Sequence, residues 1–405
     1  MNVFLRNRDF RQLTLNQSIS LLGDTMFYLA MMQAVSGYAF APFAVSLITV
    51  SEQIPNVLSL LTGVFADFQQ KRITKCLAIS FAKFLLYSLV ALLVGSGLSL
   101  ISVTLICFIN LLSDLFGKFS SSMTIPIFIK LLGDDVAEAM GFNQALGSIV
   151  TVFSNLCGGL ALGFISLQWF AIMNALTFLV AFGGLFYIRK DLVAYEKELP
   201  QVASFNLKNY LTHFWQSLRL LFSFSLVLKL YVIAAIGQSI LGMMLPLSTL
   251  LLRKQPFFGL SVGFSLGLLS IVVFVGMLLG NISLTFLTKK LSIRKALLFA
   301  NVGSFIMVVG LLFSQFSLIL LGAFGNACSL GIVNPKLQEL FFKHLPENKM
   351  GALESALGFL VTSIASVLSM AMVFVATRYP ELAAYLSMGL LSGVVLLLVG
   401  SKSAR

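Results

Sequence analysis

Asp24, Glu52, Lys83 and the pair Asp114 and Lys118 interrupt long apolar runs of the chain. If such a run crosses a bilayer, an ionised group at its centre costs on the order of 2.5–3.5 kcal/mol. Groups that bear this cost face a water-filled cavity or a partner. Gln17, Asp24 and Met31 are spaced by seven, with Ser20 beside them, so a helix lays them on one face. A polar stripe of this kind suits a cavity. Asp24 is placed to exchange a proton or to pair with a cationic ligand. Satisfaction by a neighbouring helix is the competing reading. Glu52, three residues before Pro55, is the second carboxyl of this type. Lys83 has the reach to pair with either acid, whereas Asp114 and Lys118 are four apart and read as a pair on one helix face.

Other chemistry has little to work with. Cys76, Cys107, Cys157 and Cys328 sit in or beside apolar runs without metal-ligand spacing, and read as small buried hydrophobes. His213 and His344 fall in polar loops. There is no P-loop, GxSxG elbow, HExxH or CxxC pattern. No enzyme activity, cofactor or metal site is expected.

The elements that must carry these charges follow from composition. The 405 residues are 58% hydrophobic and only 10% charged, against about 25% charged in soluble domains. No soluble core hides that much apolar surface, so the chain reads as an integral membrane protein. The net charge of +12 then reports orientation rather than nucleic-acid binding. A span needs about 20 apolar residues. Twelve candidates lie near 14–36, 42–66, 74–95, 99–120, 142–165, 168–188, 223–250, 261–286, 294–313, 316–335, 352–376 and 382–400. Arg6, Arg8 and Arg11 precede the first as in a signal peptide, but the run holds Asp24 and lacks a small-residue cleavage site, so it reads as an uncleaved span. Lys71, Arg72, Lys75, Lys130, Arg189, Lys190, Lys289, Lys290, Arg294 and Lys295 fall on the same side as those arginines, while Arg253, Lys254 and Arg378 fall opposite. By the positive-inside rule both termini are cytoplasmic.

The chain also repeats. "NQALGS" at 143–148 resembles "ESALGF" at 354–359, each after a charged stretch and a proline near the end of the preceding span, Pro126 and Pro335. The offset of 211 residues is about half the chain, and two parallel six-span halves are a transporter signature. The expected division is 1–190, a six-helix half; 191–221, a cytoplasmic central loop; and 222–405, the second half. Within the loop, Leu207, Leu211, Phe214, Trp215 and Leu218 have helical spacing. A helix on the membrane surface and a solvated linker are equal readings of it.

"GVFADFQQKR" at 63–72 lies between spans two and three. It resembles the G-x-L-A-D-R-x-G-R-K motif of major facilitator superfamily transporters through Gly63, Ala66, Asp67, Lys71 and Arg72. The family's second glycine and first arginine are absent, with Phe68, Gln69 and Gln70 standing there, and "TKKLSIRK" is a reduced echo in the second half. The opening "LRNRDFRQLTLNQSISLLGDTMFYLA" and "IPNVLSLLTGVFAD" look like the bacterial branch that includes macrolide and enterobactin exporters. The resemblance implies an all-α membrane protein of twelve helices in two pseudo-symmetric halves. It implies proton-coupled efflux of amphiphilic drugs or metabolites by alternating access in the bacterial inner membrane. Sodium stays open as the coupling ion. Lipid and a small-molecule substrate are the expected partners, nucleic acid is not, and a monomer is expected.

The resemblance also gives the loop the role of a conformational latch, carried by Gly63, Asp67, Lys71 and Arg72. The physics is independent of the family: an acid at a helix C-terminus opposes the dipole, so Asp67 gains from an approaching cation or helix N-terminus. Gly159 and Gly163 in span five, and Gly276 and Gly280 in span eight, form G-x-x-x-G faces for close packing. In this superfamily those two spans meet across the halves. Superfamily exporters often carry a glycine–proline motif in span five, and "NLCGGLALGF" lacks the proline. A dedicated exporter of one metabolite, such as a siderophore or peptide, and a non-transporting receptor or scaffold on the same fold are the alternatives.

Overall fold

The computed structural model describes residues 2–161, 164–199, 212, 215, 219, 222, 224–286, 291–344 and 350–400. The side chains of some helical residues, Asp67 among them, lie outside that description. The described residues form helices joined by short turns, with no strand among them. In chain order the helices are α1 (Asn2–Arg6), α2 (Arg8–Ser36), α3 (Ala41–Val57), α4 (Ser59–Asp67), α5 (Arg72–Gly95), α6 (Leu100–Leu132), α7 (Val136–Ala161), α8 (Leu167–Tyr187) and α9 (Arg189–Lys197). They continue with α10 (Ser225–Lys254), α11 (Val262–Phe286), α12 (Ile293–Leu312), α13 (Phe316–His344), α14 (Met350–Arg378) and α15 (Pro380–Gly400). Among the described residues, nine helices have both the length and the apolarity to cross a membrane. The remaining expected spans are α2, which carries Asp24, the broken pair α3 and α4, and α7.

Two compact units arise. The first comprises Met1–Val35 and Leu58–Phe205, the second Ser36–Val57 and Asn206–Arg405. In the first, α5 lies along α8, and α6 packs on α4 and α5. In the second, α13 lies between α11 and α12, and both α3 and α10 pack on α14. The repeat is visible in the helices. Pro126 lies inside α6 and Pro335 inside α13, near their ends, and each paired motif falls in the early turns of the next long helix, α7 or α14.

Two elements depart from the sequence expectation. Span two is one run in the sequence, yet it breaks at Leu58 (φ −86°, ψ 0°), three residues after Pro55, into α3 and α4. Pro55 deprives that stretch of a backbone donor. Small buried residues on α3, Ala44, Ser46 and Thr49, let it approach α14, where the Ser46 hydroxyl donates to Thr377 Oγ1 at 3.3 Å. Residues 36–57 therefore pack with the second unit, not with the half to which the sequence assigns them.

The second departure is α9. The central loop is expected from 191, but Arg189–Lys197 is helical and Leu192 is fully buried among Ile73, Cys76, Phe128, Leu132 and Ile188. An apolar residue in a charged stretch anchors the segment to the ends of α5 and α6. Leu207, Leu211, Phe214 and Leu218, expected on a surface helix, lie outside the described residues; Trp215 is exposed.

A charged pair inside the first helical unit

Asp24 lies midway along α2, and Gly23 beside it explains what reaches it. A Cβ on Gly23 would stand 2.4 Å from Asn174 Oδ1 and 2.5 Å from Thr177 Oγ1 of α8. Only glycine lets α8 come this close. Asn174, fully buried, donates from Nδ2 to Asp24 Oδ1 at 3.0 Å and accepts at Oδ1 from the Thr177 hydroxyl at 3.2 Å. From α5, Lys83 donates to Asp24 Oδ2 at 3.4 Å. The lysine side chain is 10% exposed and the aspartate 27%. The cation is thus enclosed, while the carboxylate stays partly open. The Lys83 ammonium also lies 4.0 Å from the centre of the Phe178 ring, a cation–π contact.

One turn along α5, buried Tyr87 packs edge-on to Phe27 and 5.4 Å from Phe178. Its hydroxyl donates to Asn110 Oδ1 on α6, and Asn110 Nδ2 donates to Asp114 Oδ2 at 3.2 Å. Along its apolar length α5 thus reaches both Asp24, through Lys83, and Asp114, through Tyr87 and Asn110. In the second unit, Asn326 Nδ2 donates to the Ala300 carbonyl and to Ser304 Oγ, and Asn301 Nδ2 to the Leu391 carbonyl. These amides tie α12, α13 and α15 together.

The family model of the major facilitator superfamily matches residues 13–371. The chain belongs to that superfamily. Comparison with curated protein sequences gave no match. Solved structures share the fold at low identity. A bacterial homologue of the iron transporter ferroportin, in an inward-facing state, aligns over 98% of this chain and 99% of its own at 15% identity, TM-score 0.70. The nucleoside transporter NupG aligns over 98% and 100% at 14%, TM-score 0.65. A bacterial metal transporter aligns over 98% and 99% at 16%, TM-score 0.59. As a major facilitator chain this is a multi-pass membrane protein and a secondary transporter.

The other expected site residues of this major facilitator protein are dispersed. Gln17 is exposed, Asp24 partly open and Met31 2% exposed within the core, so burial changes along the face that the three share on α2. Spacing of seven turns through about 700° at 3.6 residues per turn, a drift of about 20° per step, and helix packing decides the rest. Glu52 is half-buried on α3, in the second unit. Of its two possible partners, Lys83 takes Asp24.

In the loop motif, Gly63 lies on α4 facing Ser122, Asp67 is the last residue of α4, and Lys71 is exposed at φ 54°. Arg72 is buried, its Nε donating to the Gln69 carbonyl at 3.2 Å and Nη1 to the Met123 carbonyl at 3.5 Å. Gln69 closes the end of α4 by donating to the Phe65 carbonyl at 2.8 Å, and accepts from Lys75. The left-handed residue that glycine serves in tight turns is here Lys71.

Sequence reasoning missed Glu196. From α9 its carboxylate accepts the Arg72 N–H and, at 3.4 Å, the Ile73 N–H. It caps the N-terminus of α5, where Lys71 supplies no side-chain cap.

The glycine faces also resolve. A Cβ on Gly280 would lie 2.0 Å from the Cys328 carbonyl oxygen, and one on Gly276 2.8 Å from that of Phe324. This face packs on the backbone of α13 in its own unit. Gly159 lies on α7, and Gly163 is outside the described residues.

Proposed function

We propose that this transporter exports amphiphilic cationic small molecules in exchange for protons by alternating access, with Asp24 as the coupling carboxylate. The observation that carries this reading is the Asp24–Lys83 pair: a partly open carboxylate at membrane depth, backed by an enclosed cation. With Asp24 ionised the pair is neutral. A proton or a cationic cargo on Asp24 leaves the lysine unbalanced, and an uncompensated buried charge is strongly unfavourable. Occupancy of Asp24 therefore changes which helix arrangement is favoured, as a coupled transporter requires. Sodium in place of the proton fits the same carboxylate. The motif residues Gly63, Asp67, Lys71 and Arg72 serve as the latch of one access state. The setting is the bacterial inner membrane, with both termini cytoplasmic and the chain a monomer. The opening residues support a place beside the macrolide and enterobactin exporters.

A metal cation as cargo is a second reading. The Asp24 carboxylate is an oxygen donor at a point lined by Asn174 and Thr177, and two of the solved relatives are an iron-transporter homologue and a metal transporter. Lys83 would have to leave that point first.

The test uses the purified chain in liposomes under an imposed proton gradient, acid inside. Accumulation of cationic amphiphiles, neutral amphiphiles and manganous ion is measured. Gradient-dependent uptake of the cationic amphiphiles alone is expected. Uptake of manganous ion alone would replace this reading with the second. No uptake of any probe favours a receptor or scaffold.

A further inference from the structure

We propose that Lys83 is a two-position counter-cation: it pairs with Asp24 while that carboxylate is charged and free, and moves to Asp114 when a proton or a cationic cargo neutralises Asp24. The idea builds on Asp24 as the cation acceptor and adds the fate of the charge left behind.

Four observations carry it. First, the pair is loose. Its N···O distance is 3.4 Å, against about 2.7–2.9 Å for a tight charge-assisted bond. The ammonium's other contact is the face of Phe178, which holds a cation without fixing its donors. Second, the ammonium lies over α6 where that helix has no side chain. A Cβ built on Gly117 would be 3.5 Å from Nζ. Third, Asp114 precedes Gly117 by three residues, so it shares that helix face at roughly 4.5 Å of axial rise. A four-carbon stem spans such a step by changing rotamers. Fourth, the second acceptor is already held in place. Tyr87 holds Asn110, and Asn110 holds one oxygen of Asp114. An ionised carboxylate has capacity beyond one bond.

The groups around Lys83 define the alternatives. Asp24 comes from α2, Tyr87 from the next turn of α5, and Asp114 from α6. The α8 side chains next to the pair, Asn174, Thr177 and Phe178, carry no charge. Lys118, next to Gly117, is exposed. Once Asp24 is neutral, Asp114 is the carboxylate on these elements that can answer the ammonium. The cation then moves from the α2–α5 contact to the α5–α6 contact, and this displacement transmits the occupancy of Asp24 to the bundle.

A double-mutant cycle on the full-length protein in detergent tests this by thermal unfolding, independently of any transport assay. Asp24→Asn stands in for the neutralised carboxylate. We expect Asp114→Asn to cost little alone. Combined with Asp24→Asn it should lower the melting temperature by about 5 °C or more beyond the sum of the single changes. Adding Lys83→Gln should remove that excess, because no orphaned cation then remains. Additive single effects would overturn the proposal. So would a double variant that is destabilised, or fails to fold, and is not restored by Lys83→Gln. Neither result touches the role of Asp24 in coupling, which uptake under a proton gradient decides.

Discussion

At the scale of single residues, Asp24 depends on neighbours as small as a hydrogen atom. Gly23 leaves room for Asn174 and Thr177, so Gly23→Ala should push Asn174 off the carboxylate. Overpacking of this kind costs about 1–3 kcal/mol, and thermal unfolding in detergent would read it as a lowered midpoint. Outside the spans, burial, and then the neighbouring Asp191 carboxylate, raise the pKa of Asp9, which Arg8 partly offsets. A carboxyl whose folded-state pKa is raised contributes stability below its unfolded value and loses it as pH rises through the folded value. Asp9→Asn is therefore expected to stabilise the protein slightly at neutral pH and to be neutral in acid. Unfolding midpoints of both proteins at two pH values check the sign.

At the scale of elements, α5 is the organising helix of the first unit. It presents Lys83 and Tyr87 one turn apart, and its N-terminus is closed by Glu196 from α9. An acid at a helix N-terminus contributes about 0.3–1 kcal/mol through the dipole. Glu196→Gln should therefore lower stability by about that amount, and added salt should shrink the difference between the two proteins. In the second unit α13 plays the organising part, accepting α11 so closely that the backbone of Cys328 occupies the place of a Gly280 side chain. Gly280→Ala must move one helix. A loss of about 1–3 kcal/mol in unfolding stability is expected, with Gly389→Ala, which meets open space, as the neutral control.

At the scale of the whole molecule, the sequence reveals most of what repeats and little of what converges. Apolar runs of span length and the offset between "NQALGS" and "ESALGF" make the helices and the two parallel halves visible, because each is a local or periodic signal. Asp24 is legible for a different reason: a carboxyl in such a run is conspicuous alone. Its partners are not. Lys83 lies 59 residues away and Asn174 150 residues away, and no periodicity connects α2, α5 and α8. Glu196 is hidden among the charges of "RKDLVAYEKELPQ", where one buried leucine decides that the segment folds back. Span two shows the opposite limit. Its hydropathy is continuous, and the separation of α3 from α4 comes with Pro55 and the packing of small α3 residues against α14.

The central claim is that charge on Asp24 couples cargo to the proton. Everted vesicles containing the protein are acidified inside, a cationic amphiphile is added outside, and lumenal pH is followed for wild type and Asp24→Asn. Proton release by wild type and none by a folded Asp24→Asn protein is the predicted result. Equal release by both would contradict it.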